Sequence, residues 1–96
     1  MDGEALPRDR EQVRILVIDD EEGMREGMRR VLQRAFGERP GFCADLAENG
    51  EQAIERLKAR RYDVALVDLK MPGIDGFEVS RYINETFGQE TVVVIV

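Results

Sequence analysis

The sequence contains no histidine and a single cysteine, Cys43. The lack of histidine excludes a Ser-His-Asp triad, a histidine general base and a histidine-ligated metal within this chain. One cysteine forms neither an internal disulfide nor a cysteine-rich zinc site, which favours a reducing compartment. Any chemistry that the chain performs by itself therefore has to use carboxylates.

Long apolar runs and extended blocks of positive charge are also missing. No run approaches the roughly 18 apolar residues of a membrane span, and residues 1–12 lack the apolar stretch of a signal peptide. The chain has 20 acidic and 14 basic residues, a net charge of −6. This balance argues against nucleic acid or an anionic membrane as a direct partner. We therefore expect a cytoplasmic location.

The length and the apolar pattern predict one small α/β domain. A chain of 96 residues has room for a single domain with a thin core. Residues 1–12 are polar and predict a flexible N-terminal arm, so the fold is expected to occupy residues 13–96. Four apolar segments alternate with three helical patterns, which predicts parallel strands joined by right-handed crossovers. The strand segments are VRILVI, FCADLA, DVALVD and TVVVIV.

The helical patterns have recognisable faces and ends. The first helix has an apolar stripe, followed by Gly37 as a stop signal. Its arginines are interleaved with Glu22 and Glu26, so we assign them to a solvated face without a function. Asp75 and Glu78 have the spacing of a capping box for the third helix. The stripe comprises Met24, Met28, Val31, Leu32, Ala35 and Phe36; the arginines are Arg25, Arg29, Arg30 and Arg34.

The segment TVVVIV is apolar at every position and has no polar rim. Such a strand is typical of the interior of a parallel sheet, where both faces and both edges are covered. We therefore expect the natural chain to continue beyond Val96 with at least one more strand and the helices that cover it. An aggregation-prone end is the alternative. Dimerisation or self-association through this strand is a further expectation.

Three aspartates follow the ends of two predicted buried strands. Asp19 and Asp20 come after the first strand and Asp68 after the third. Parallel strands share one carboxyl edge, so these side chains are expected to converge there. Two unit charges 4 Å apart repel by about 4 kcal/mol at an effective dielectric of 20, so the cluster needs a cation or a shared proton. Mg²⁺ fits best, and a carboxylate beside Mg²⁺ is typical of aspartyl-phosphate chemistry. The alternative is that Asp19 and Asp20 only cap the helix after them.

Residues 13–96 resemble the receiver domain of two-component response regulators. The resemblance rests on ILVIDDEE, on DVALVDLKMPGIDGFE and on the spacing between them. It implies that Asp68 is phosphorylated and that the metal ligands are Asp20, Asp19 through a water, Asp68 and the backbone carbonyl of Lys70. It also implies a flavodoxin-like open parallel sheet of order 2-1-3-4-5 in the complete domain. Only the first four strands and three helices fall within this chain, and the C-terminal part of the domain is expected beyond it.

The resemblance implies a signalling function rather than an enzyme. Asp68 would accept a phosphoryl group from a sensor histidine kinase, and the added charge would switch an effector domain or a downstream protein. The family's Ser or Thr after the fourth strand and its Lys after the fifth have no counterpart in this sequence. A pseudo-receiver that acts by binding alone is one alternative. A haloacid-dehalogenase-like phosphatase is another, although its pattern is Asp-x-Asp and the acids here are adjacent.

Overall fold

The structure is a computed structural model that describes residues 13–68, 71 and 75–96. The predicted arm at residues 1–12 lies outside the described residues. Four strands alternate with three helices, and a short 3-10 turn, Gly88–Glu90, precedes the last strand. The strands are β1 (Arg14–Ile18), β2 (Cys43–Ala47), β3 (Val64–Val67) and β4 (Val92–Ile95). The helices are α1 (Glu22–Phe36), α2 (Gly50–Ala59) and α3 (Gly76–Phe87).

The strands form one parallel sheet of order β2-β1-β3-β4, as predicted for the first four strands of this fold. In the register, Ile18 at the end of β1 is aligned with Ala47 in β2 and with Val67 in β3. β1 is central, and Ile15 to Ile18 are all buried. Its uninterrupted apolar run follows from this position, because both faces of a central parallel strand are covered.

The two faces of the sheet bury two separate apolar clusters. On one face, α2 and α3 cover a cluster that includes Leu16 and Ile18 of β1. On the other face, α1 places Leu32 against Ile15 and Val17. The alternation of β1 residues between the two clusters is the two-residue period expected of a strand. The first cluster comprises Leu16, Ile18, Ala47, Ala53, Leu57, Tyr62, Ala65, Val67, Met71, Val79 and Ile83.

The ends of the helices agree with the sequence signals. The Asp75 side chain accepts a hydrogen bond from the Glu78 N–H, and the Glu78 side chain accepts one from the Asp75 N–H, so the predicted capping box is confirmed. Gly37 is the C-cap of α1. At the start of α2, the Asn49 side chain accepts a hydrogen bond of 2.7 Å from the Gln52 N–H. These contacts satisfy backbone groups that have no partner within the helix.

Several large apolar side chains of the helices are exposed. Within the α1 stripe Leu32 is buried, but Met24 and Val31 are 56% and 60% exposed. Phe77, at the start of α3, is 63% exposed. Within this chain β4 lies at the edge of the sheet and its Val92 is 57% exposed, so the expected cover of this strand by a further strand and helices stays a prediction. In the described part of the chain α1 is the one helix that packs on its face of the sheet. None of the helices in the described part of the chain combines the length and the hydropathy of a transmembrane span.

Gly27 in the middle of α1 generates a stability prediction. A Cβ built at this glycine meets no atom within 4 Å. Alanine therefore fits without overlap and gains helix propensity, so Gly27→Ala should raise the free energy of unfolding by up to about 1 kcal/mol in urea denaturation. Gly37→Ala is the contrasting variant, because its Cβ would overlap the Gln33 carbonyl oxygen. A Gly27→Ala chain no more stable than the parent would contradict this reading of α1.

Candidate functional site

The register of the sheet places two of the predicted aspartates side by side. The backbone N–H of Asp19 donates to the carbonyl of Ala47 over 3.1 Å, and that of Asp68 donates to the carbonyl of Ile18 over 3.0 Å. The parallel ladder thus continues one residue beyond the ends of β1 and β3. Asp19 and Asp68 consequently leave neighbouring strands at the same edge, as the sequence predicts.

The carboxylates of Asp19, Asp20 and Asp68 converge at this edge. One oxygen from each lies within 4.8 Å of the other two. Asp19 and Asp68 are half-buried and Asp20 is exposed. The donor set consists of hard oxygen atoms close enough to share one small ion, and it leaves room for water. It therefore fits Mg²⁺, which takes one or two carboxylates and keeps several waters.

The alternative that Asp19 and Asp20 serve as helix caps is not supported by the start of α1. Its N-cap residue is Glu21, which makes no side-chain cap hydrogen bond. Oδ1 of Asp19 accepts a hydrogen bond of 3.0 Å from the Glu21 N–H, outside the first helical turn. This bond orients the Asp19 carboxylate in a tight turn. The contact is thus compatible with a metal-binding role for the same side chain.

The three acids form one end of a cleft of about 440 Å³. Met24, Met28, Leu66 and Val96 form its apolar wall. The cleft is large enough for a small anionic group beside the carboxylates. Of the predicted site residues, Lys70, whose carbonyl is an expected ligand, lies outside the described residues.

Arg25 contacts the acidic edge, which the sequence analysis did not predict. It is half-buried, and its guanidinium donates to the carbonyl oxygen of Asp19 over 2.9 Å. Its assignment to the solvated face of α1 is therefore wrong. A signal was available, because Arg25, Met28 and Leu32 are spaced by three and four residues and so share one face of the helix. The nearby Glu22 and Glu26 suggested a solvated face instead.

A second cluster of titratable side chains surrounds Asp45 of β2. The Tyr62 hydroxyl donates to Oδ2 of Asp45 over 2.5 Å, and Arg60 lies 3.4 Å from the same oxygen. The Cys43 thiol donates to Oδ1 of Asp45 over 3.6 Å. Burial, followed by the hydrogen bond and charge of Asp45, raises the pKa of Tyr62. Burial and the same carboxylate raise the pKa of the Cys43 thiol. A raised pKa disfavours the thiolate, which is the reactive form of a cysteine.

The sequence matches known proteins of one family. A model of the response regulator receiver domain matches residues 15–96, so the chain belongs to this family. It is 45% identical over 74 residues to the transcriptional regulatory protein ResD of Bacillus subtilis, a match that covers 77% of this chain and 29% of ResD. It is 36% identical over 83 residues to the response regulator MprA of Mycolicibacterium vanbaalenii, covering 86% of this chain and 34% of MprA. The chain thus spans about a third of these relatives.

Solved structures show the same fold. The response regulator TrrA of Thermotoga maritima, in complex with Mg²⁺-BeF, superposes with a TM-score of 0.76 at 36% identity, covering 88% of this chain and 68% of TrrA. TrrA in complex with the histidine kinase ThkA gives a TM-score of 0.74 at the same identity, with coverages of 88% and 67%. The flavodoxin-like fold and the class of protein predicted from the sequence are confirmed: this is a receiver domain of a two-component response regulator.

The environment of Tyr62 predicts a loss of stability at high pH. Its pKa is raised above the ordinary value of 10.0, so the folded state keeps the phenol protonated where the unfolded chain releases the proton. The stabilisation is complete below about pH 10 and is lost as the pH rises further, by up to about 1.4 kcal/mol per pH unit. Urea denaturation between pH 8 and 11.5 should show a shallower fall in unfolding free energy for Tyr62→Phe than for the parent.

Tyr82→Phe, which removes the other phenol of the chain, is the control for loss of a hydroxyl. Equal alkaline slopes in the parent and in Tyr62→Phe would contradict the assignment.

Proposed function

We propose that this chain is a phosphoacceptor receiver domain, which accepts a phosphoryl group on Asp68 from a sensor histidine kinase in a Mg²⁺-dependent reaction and thereby switches an output. The observation that carries the proposal is the convergence of Asp19, Asp20 and Asp68 within 4.8 Å at one edge of a parallel sheet. The proposed metal ligands are these three aspartates and the backbone carbonyl of Lys70. Asp20 would bind directly and Asp19 through a water.

The proposed transfer needs only a carboxylate nucleophile from this chain. An oxygen of Asp68 bonds to phosphorus while the bond from phosphorus to the donor, an imidazole nitrogen of the kinase or an oxygen of acetyl phosphate, breaks and its electron pair leaves with the donor. Bound Mg²⁺ would neutralise charge on the transferred oxygens. Asp68 suits the role of acceptor because its backbone is held by Ile18 at the end of the central strand, where its carboxylate faces the cleft.

Two comparisons support the partners in this proposal. TrrA, at 36% identity, is known in complex with Mg²⁺-BeF and in complex with the histidine kinase ThkA. For this chain we propose the same kind of metal and the same class of phosphodonor, with the output left to an effector domain or downstream protein. We also propose a cytoplasmic location, as a single cysteine suits a reducing compartment. The family assignment favours a signalling domain over the phosphatase alternative.

The proposed acceptor predicts a mass change that depends on one residue. Incubation with acetyl phosphate and Mg²⁺ should give a single phosphoryl adduct on the parent chain, detected by intact mass, and none on Asp68→Asn. No adduct should form when EDTA is present during the incubation. Asp75→Asn is the matched control, because asparagine replaces aspartate well at an N-cap and the position lies in the capping box of α3.

A well-folded parent chain that forms no adduct would contradict the proposed acceptor function. That result would favour the alternative of a pseudo-receiver that acts by binding alone. An adduct of equal yield on Asp68→Asn would instead show that another residue is the acceptor.

We further propose that the edge strand β4 pairs with a second copy of this chain. β4 pairs with β3 on one side, and within the described residues no strand covers its other edge. Its side chains Val92, Val94 and Ile95 are exposed, as is Val96 directly after it. An apolar strand edge of this kind is a template for pairing with another chain.

Sedimentation velocity should therefore show an average mass that rises with protein concentration. Val94→Lys should shift the distribution towards monomer, because a lysine on an edge strand disfavours edge pairing. Val31→Lys is the matched control, since Val31 is an exposed valine on α1, away from this edge. A monomer at all concentrations with cooperative unfolding would contradict the proposal.

A further inference from the structure

We propose that Arg25 is a positioning residue for the acidic cluster: its guanidinium fixes the carbonyl of Asp19, and this holds Asp19 and Asp20 in the arrangement that binds a divalent cation. The inference rests on the proposed Mg²⁺ site and adds to it a residue that contacts neither the ion nor the phosphoryl group.

Arg25 ties the first turn of α1 to the segment that follows β1. Its Nη1 donates to the Asp19 carbonyl over 2.9 Å in a partly buried position. Its own backbone N–H donates to the carbonyl of Glu21 over 3.0 Å. The side chain and the main chain of one residue thus hold two points of the segment from Asp19 to Glu21. Movement of this segment would break a hydrogen bond to a charged group, a stronger bond than one between neutral groups.

With this bond, Asp19 has three separate anchors. Its N–H donates to the carbonyl of Ala47 over 3.1 Å, its Oδ1 accepts from the N–H of Glu21 over 3.0 Å, and its carbonyl accepts from Arg25. The carbonyl belongs to the planar peptide that joins Asp19 to Asp20. Fixing this plane restricts the direction in which the Asp20 side chain leaves the backbone. Asp20 is exposed and is the proposed direct ligand, so its orientation depends most on its backbone.

The charge of Arg25 and its hydrogen bond have opposite effects on a cation. A guanidinium is always charged, so its charge alone repels Mg²⁺, and its removal would tighten metal binding. Its hydrogen bond goes to a neutral carbonyl and orders the ligands, so its removal would weaken metal binding. Partners outside the direct ligands typically change metal affinity by 10- to 100-fold. The sign of the change therefore separates positioning from simple electrostatics.

The test is the Mg²⁺ dissociation constant, measured by isothermal titration calorimetry with MgCl₂ as the only ligand. We expect Arg25→Gln to raise it by about tenfold. Arg30→Gln removes the same charge from an exposed position on the same helix. In this control the Mg²⁺ dissociation constant should rise by less than twofold or fall slightly. Thermal melts in EDTA are run beside each titration, so that a loss of fold is distinguished from a loss of metal binding.

Each outcome decides between positioning and its alternatives. A folded Arg25→Gln chain with unchanged or tighter Mg²⁺ binding overturns the inference. If Arg25→Gln does not fold, Arg25→Lys replaces it. The charge is kept, but the lysine ammonium ends one bond short of Nη1 and does not reach the Asp19 carbonyl in the same geometry, so weaker binding is expected and affinity equal to the parent overturns the inference. A folded parent chain that binds no Mg²⁺ overturns the proposed metal site itself, which is a different result.

Discussion

The parallel register between β1 and β3 is the constraint on which the site depends. Ile18 and Val67 are aligned, and the ladder extends one step further so that Asp68 donates to the carbonyl of Ile18. This register is fixed by burial. Leu16 and Ile18 enter the cluster under α2 and α3, whereas Ile15 and Val17 face α1. A slip of one residue would reverse these faces and separate the acids.

The electrostatic repulsion among the three carboxylates is thus offset by hydrophobic burial elsewhere in the sheet. Asp19 and Asp68 are only half-buried, so water screens part of their repulsion. Asp20 is exposed and can turn towards solvent. An ion that binds the folded state alone would stabilise that state by mass action. Metal binding and folding are therefore expected to support each other in this domain.

The sequence was sufficient to predict the elements whose signals are local. The apolar runs that end in acids predicted β1 and β3, and the spacing of Asp75 and Glu78 predicted the start of α3. The environment of β4 was not predictable in the same way. Its apolar pattern indicates that the side chains of the strand are to be buried, but it does not identify the segment that packs against them. In the described residues β4 is an edge strand with exposed valines.

The acidic site was predicted more completely than its surroundings. The clustering of the three aspartates could be predicted because they follow strand ends, which the sheet topology brings together. Arg25 was missed because its charge suggested solvent, while its position on the face of Met28 and Leu32 indicated proximity to the sheet. An arginine suits both requirements, since a long aliphatic stem lets it leave an apolar face while its guanidinium reaches the backbone oxygen of Asp19.

The same reach explains why an arginine suits this position in an acidic cleft. A carboxylate or a neutral residue there would leave the Asp19 carbonyl without its charged donor, and an arginine bound to one of the aspartates would compete with a metal ion. The observed contact avoids this competition, because the guanidinium binds the Asp19 carbonyl oxygen 2.9 Å away. The positive charge lies near enough to order the acidic segment, while the carboxylate oxygens of the cluster lie within 4.8 Å of one another. The site thus combines a backbone held at the Asp19 carbonyl with a group of closely spaced carboxylate oxygens.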